Sequence, residues 1–157
     1  ARRATADLFL GISAFSRGRG DANTGQRRPA LRVTQGVRAQ PDWSTLEIAA
    51  DTVTQALDKV KSAVGQLSIS LSGLDNEDAA LVESELDAQA EQTGEIISHL
   101  EEFLLRPEKE SVYWLEEDYS GGVQLKAAPL QVSDLLKKNL FDEKRSVILT
   151  SATLSTG

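Results

Sequence analysis

With 157 residues, 40% hydrophobic and 26% charged, the chain has the composition of an ordinary soluble domain, and no apolar run approaches the roughly 18 residues of a membrane span. It has no cysteine, which excludes disulfides, thiolate metal sites and an iron–sulfur cluster held by this stretch. The formal charge of −7 is unevenly spread: residues 1–40 carry +6 and residues 41–157 carry −13. The two ends therefore suit different partners, and the acidic bulk argues against a DNA-binding module in its own right. The opening Ala1-Arg2-Arg3 lacks the apolar core and cleavage site of a secretion signal.

Residues 3–15 read as a short amphipathic helix, with Leu8, Ile12 and Phe15 near helical spacing and Phe9 beside them. Ser16 to Pro29 is rich in Gly, Arg and polar residues without periodicity, the pattern of a mobile loop. Its arginines, Arg17, Arg19, Arg27 and Arg28, are candidate phosphate contacts, because guanidinium forks match phosphate oxygens. No aromatic residue accompanies them to stack on bases, and a solvated basic loop is the commoner case. Leu31 to Thr34 is a short extended piece before Pro41 resets the chain.

The strongest periodicity follows. Leu46, Ala50, Val53, Leu57, Val60, Val64, Leu67 and Leu71 alternate spacings of four and three, a heptad seam with Val60 and Val64 at its middle. Ser44-Thr-Leu-Glu47 is a capping-box signature at the start, and Gly73 stands where a C-terminal glycine is wanted. Asp75 to Asp78 opens a second helix carrying Ala79, Val82, Leu86, Thr93, Ile97, Leu100 and Leu104, ended by Pro107. Its seam is weakest at Asp87 to Gln92. Two long helices joined by a few residues run antiparallel, so residues 44–106 are expected to form a helical hairpin.

Ser111 to Glu117 and Val123 to Ala127 alternate about a Ser120-Gly121-Gly122 turn and predict a β-hairpin. The adjacent Tyr113 and Trp114 must then face opposite sides, one of them into the core. Ser133 is expected to cap a short helix carrying Leu135, Leu136, Leu140 and Phe141. Val147-Ile148-Leu149 reads as a strand buried on both faces, which delivers Thr150-Ser151-Ala152-Thr153 to its carboxyl end, where open α/β sheets bind ligands. One such strand cannot make a sheet, so the chain reads as part of something larger. His99 has no second histidine or cysteine to share a metal, and no metal site is expected.

Ser151-Ala152-Thr153 after a buried strand resembles motif III of the superfamily 2 helicases, and Ser146 to Ser155 as a whole is similar to the form found in DinG/XPD-like DNA helicases. The approach agrees: Ser111-Val-Tyr-Trp-Leu-Glu116, then Leu125-Lys-Ala-Ala-Pro-Leu-Gln-Val132, a short helix and the Ser-Ala-Thr strand. The resemblance covers residues 110–157; upstream the chain is only consistent with the variable arch insertion of that family, which interrupts the first motor domain. It implies an N-terminal helix and basic loop of the arch at 1–40, the arch hairpin at 41–109, and a piece of motor domain 1 at 110–157. The implied fold is mainly α, an antiparallel hairpin joined to a small β-hairpin and a terminal strand of an α/β motor. It further implies a parent enzyme that uses ATP and Mg²⁺ to move 5′ to 3′ on single-stranded DNA and that acts in DNA repair, in the cytoplasm and associated with the nucleoid through DNA. The arch would wall the strand passage and pack on the motor domains. The hydroxyls of Thr150 to Thr153 would couple hydrolysis to movement.

Neither a G-x-x-x-x-G-K-[ST] phosphate loop nor an Asp-Glu-x-His box occurs in the chain. The stretch alone is therefore expected to be catalytically silent. The alternative is a non-enzymatic coiled-coil interaction module whose last residues match motif III by chance.

Overall fold

A computed structural model describes residues 1–17, 19, 30–74, 76–117 and 122–148, and is mainly helical with one three-stranded antiparallel sheet. In chain order come α1 (Arg2–Ser16), β1 (Ala30–Arg32), α2 (Gln35–Arg38), α3 (Pro41–Leu71) and α4 (Glu77–Leu100), the last widening into a π turn at Glu101–Leu105. Then follow β2 (Ser111–Glu117), β3 (Val123–Pro129) and α5 (Ser133–Leu136), extended by a second π turn at Lys137–Phe141.

The expected hairpin forms, and side-chain chemistry marks its register. Ser68 Oγ donates to Asp87 Oδ1 at 2.5 Å, and Lys61 lies over Gly94, where an added Cβ would stand 2.9 Å from Nζ. These contacts are one heptad apart on each helix and run in opposite directions, as an antiparallel pair requires. The seam is thus held at its polar middle by a hydrogen bond where apolar residues are missing.

Its ends differ from the sequence reading. Helix α3 starts at Pro41, three residues before the Ser44 signature, with Gln40 as an N-cap that makes no side-chain bond. Proline at the first helical position loses no intrahelical bond, and the extra turn brings Trp43 fully into the core. At the other end Ser72 is the C-cap in right-handed conformation, and Gly73 does not adopt a positive φ. Asn76 caps α4, its Oδ1 accepting from the Asp78 N–H at 2.9 Å. Ser133 is the first helical residue of α5, and the cap position falls to Val132.

β1 pairs with β2 and β2 with β3, setting Leu31 against Leu115 and Tyr113 against Ala127. Tyr113 and Leu115 are buried while Trp114 is half-buried on the other face, the split that strand alternation demands. The core gathers Leu8, Ile12 and Phe15 of α1, Trp43, Leu46 and Val53 of α3, Phe103 and Leu104 beyond α4, and Tyr113 and Leu115 of β2. It therefore joins residues from before Pro41, from the hairpin and from the sheet. Gly11 lets α1 approach α3 closely: a Cβ there would meet Leu46 Cδ2 at 3.1 Å.

Burial along the α3 seam stops halfway, although Ala79 of α4 is buried at the far end. Leu46, Ala50 and Val53 are buried under α1 and the sheet, whereas Val60, Leu67 and Val82 are 42%, 58% and 45% exposed. The heptad positions are as the periodicity predicts, but two helices alone cannot enclose them without a third layer. The carboxyl segment is likewise open: Leu135, Leu136 and Phe141 are exposed, and Ser146–Ile148 is not a strand, with Ile148 89% exposed. The expectation of a buried strand fails for these residues, because no neighbouring strand covers them among the described residues. Leu149 lies outside the described residues.

Candidate functional site

Of the site residues singled out by sequence, only Arg17 and Arg19 lie among the described residues. Thr150, Ser151, Ala152 and Thr153 lie outside the described residues, as do Arg27 and Arg28. Arg17 is exposed and makes no ion pair among the described residues. Arg19 is engaged within the chain: its Nη1 donates to the Phe15 carbonyl at 2.8 Å, its Nη2 meets Asp42 at 2.9 Å, and its guanidinium lies 4.3 Å from the Phe15 ring centre. A cation on the last carbonyls of α1 closes that helix and ties it to the first turn of α3.

A different arginine sits at the chemical centre of the fold. Thr34 caps α2, its Oγ1 accepting from the Val37 N–H at 3.3 Å, and the single turn that follows carries Arg38 inward. The Arg38 guanidinium lies 5.0 Å from the Trp43 ring and 5.3 Å from the Tyr113 ring, with Nη1 donating to the Leu104 carbonyl at 3.5 Å. Cation–π contact of this kind strengthens as water is excluded. Nη2 is buried without a hydrogen-bond acceptor among the described residues, as is Nε1 of Trp43. Burial lowers the Arg38 pKa, opposed by the charges of Tyr113 and Glu47.

Tyr113 ties this cluster to the end of the hairpin. Its hydroxyl donates to Glu102 Oε1 at 2.8 Å and accepts the Glu108 N–H at 2.9 Å, while its ring meets Phe103 edge to face at 5.4 Å. Burial, with the Glu102 bond and charge, raises the phenol pKa against the opposing bonds from Glu108 and Ser111. Beside the cluster opens a cavity of about 320 Å³ lined in part by Arg32, Arg38, Lys109 and Glu108. Arg32 and Lys109 are exposed and make no ion pair among the described residues. On an acidic chain this is a local excess of cations, with donors suited to an oxyanion. Among the described residues no group of three or more His, Asp or Glu is placed to hold a metal.

Comparison with protein-family models, with curated proteins and with solved structures finds no match for this chain. A second cavity, about 380 Å³ and mostly apolar, opens between α4 and the sheet, where Ile96, Leu100, Phe103 and Leu125 line it and His99 stands at its edge. Neither cavity was readable from spacing: Arg38 counts in the sequence as one more cation of the basic N-terminal stretch. The one local signal is Thr34, a capping residue that ends the strand and turns the chain inward.

Proposed function

We propose that this chain is the stretch from the arch insertion to motif III of a DinG/XPD-like, ATP-dependent 5′ to 3′ DNA helicase. The observation that carries the reading is the string Ser146 to Ser155 together with its approach through Tyr113-Trp114 and Ala127-Ala128-Pro129. The element order supports it: a long helical hairpin, then the β2–β3 hairpin, then a short helix leading to the Ser-Ala-Thr segment. The uncovered apolar side chains of Leu135, Leu136, Phe141 and Ile148 are what a segment packing on a motor domain would present.

In this reading the parent binds ATP and Mg²⁺ through motifs that this sequence does not contain, and single-stranded DNA passes beside the arch. Thr150, Ser151, Ala152 and Thr153 form motif III and relay hydrolysis to DNA movement, small hydroxyl side chains being suited to a packed switch. Arg17, Arg27 and Arg28 would meet DNA phosphates, whereas Arg19 holds α1 to α3. The test is the parent reading frame: expressed whole, it should hydrolyse ATP in a single-stranded-DNA-dependent manner. A parent without a phosphate loop and an Asp-Glu-x-His box upstream of Ala1 overturns the assignment. The second reading, an interaction module without enzymatic activity, is favoured by one observation, the exposed apolar flank of the hairpin.

A further inference from the structure

The distal half of the α3–α4 hairpin carries an apolar flank with nothing over it among the described residues. At about 100° per residue, Val60, Val64, Leu67 and Leu71 fall on one side of the interhelical contact. The antiparallel register places Val82 and Leu86 on the same side of α4. Val60, Leu67 and Val82 are exposed, and Val64, Leu71 and Leu86 are half-buried. Nearer the sheet this same flank is closed: Leu46 and Val53 of α3 are buried in the core, and Phe103 packs on Tyr113. The flank is therefore a continuous apolar surface covered at one end and bare at the other.

Charge identifies what fits the bare end. From Ser62 to Leu105 the chain has no lysine or arginine and ten carboxylates. Asp78 and Glu85, one heptad apart, edge the flank on either side of Val82; both are exposed, and neither makes an ion pair among the described residues. The opposite edge carries the small residues Ala56 and Ala63 with exposed Lys59 between them, so the surface is shallow along α3 and the carboxylates that edge it lie on the α4 side. A second copy would bring two acidic faces together, which like-charge repulsion opposes. From Val60 to Leu71 the bare stretch spans about 17 Å, or three helical turns, beyond Leu57, which still packs against the core.

We propose that this flank docks a basic amphipathic helix of a protein partner, completing a three-helix layer. Its apolar stripe would lie on Val60, Leu67 and Val82, and its lysines or arginines against Asp78 and Glu85. The proposal goes beyond the helicase reading and does not rest on it.

The probe is a synthetic 21-residue peptide with leucine at the two seam positions of each heptad and lysine at the flanking ones, titrated calorimetrically into the full chain. Controls are a counterpart with glutamate for lysine and a scrambled peptide of the same composition. Expected is saturable one-to-one binding of the lysine peptide alone, weakened about tenfold or more by Leu67→Glu/Val82→Glu and several-fold by raising salt. Ile69→Glu, the same kind of change at an exposed residue on the opposite flank, should leave affinity within about twofold. Circular dichroism should show both variants folded, since each replaced residue is exposed. Equal binding to the double variant, or to the glutamate or scrambled peptide, overturns the proposal. So does a chain that sediments as a dimer and is made monomeric by the double variant, for then the occupant is a second copy.

Discussion

Ser68 Oγ donates a 2.5 Å hydrogen bond to Asp87 Oδ1 across the hairpin, from a buried serine to an exposed aspartate. With Lys61 packed over Gly94 one heptad away, it defines the register in the stretch where the apolar seam is weakest. Because Asp87 stays in contact with water, the bond should be worth about 0.5–1.5 kcal/mol, below the range for fully buried charged partners. A double-mutant cycle of Ser68→Ala and Asp87→Ala in urea should return a coupling of that size. Strictly additive losses would mean that the bond does not hold the register.

The two halves of the seam should respond differently to charge. Val53 is fully buried, so Val53→Ala should cost about 1–3 kcal/mol and Val53→Asp considerably more. Val60, 42% exposed, should tolerate aspartate within about 1 kcal/mol. Equal melting temperatures for Val53→Asp and Val60→Asp would mean that the covered end of the hairpin is misassigned.

Two helical glycines separate by their surroundings. A Cβ at Gly65 in α3 meets nothing within 4 Å, so Gly65→Ala should stabilise by about 0.5–1 kcal/mol through the lower conformational entropy of the unfolded chain. At Gly11 the same change presses on Leu46 Cδ2 at 3.1 Å and should lose that gain. Thermal unfolding of the two variants measures the difference directly, and an equal gain at both sites would remove Gly11 from the α1–α3 contact.

The heptads made both long helices legible, and the short connection between them made their antiparallel pairing legible. Alternation did the same for β2 and β3. The helix ends depart from the local cap signal where tertiary packing outweighs it: Trp43 is buried by starting α3 at Pro41, ahead of Ser44. Burial along the seam was not legible either, since spacing assigns Val60 and Leu67 to a flank without revealing whether a third layer covers it. Arg38 was invisible as a centre because Leu104 and Tyr113 are distant in sequence and join it and nearby Trp43 only in the folded chain.

Tyr113 supplies a pH-dependent signature. Its pKa is raised in the folded state, so its contribution to stability is fully present below the unfolded value of about 10 and is lost as pH rises through the folded one. Stability should therefore fall on the alkaline side, and the wild-type minus Tyr113→Phe difference in phenolate absorbance should show a midpoint above 10. A difference midpoint at or below 10 would contradict the buried, Glu102-bonded phenol.

The isolated chain should show no DNA-stimulated ATP hydrolysis, but the coupling role proposed for Thr150 to Thr153 is tested most directly in the proposed full-length parent carrying Ser151→Ala/Thr153→Ala. Each neutral hydrogen bond lost is worth about 0.5–1.5 kcal/mol, enough together to shift a conformational equilibrium about tenfold. The measurement is the rate of 5′ to 3′ duplex unwinding set beside ATP affinity in the same protein. Motif III coupling predicts unwinding slowed about tenfold with ATP affinity nearly unchanged; unwinding at the wild-type rate, or failure through loss of ATP binding, would contradict it.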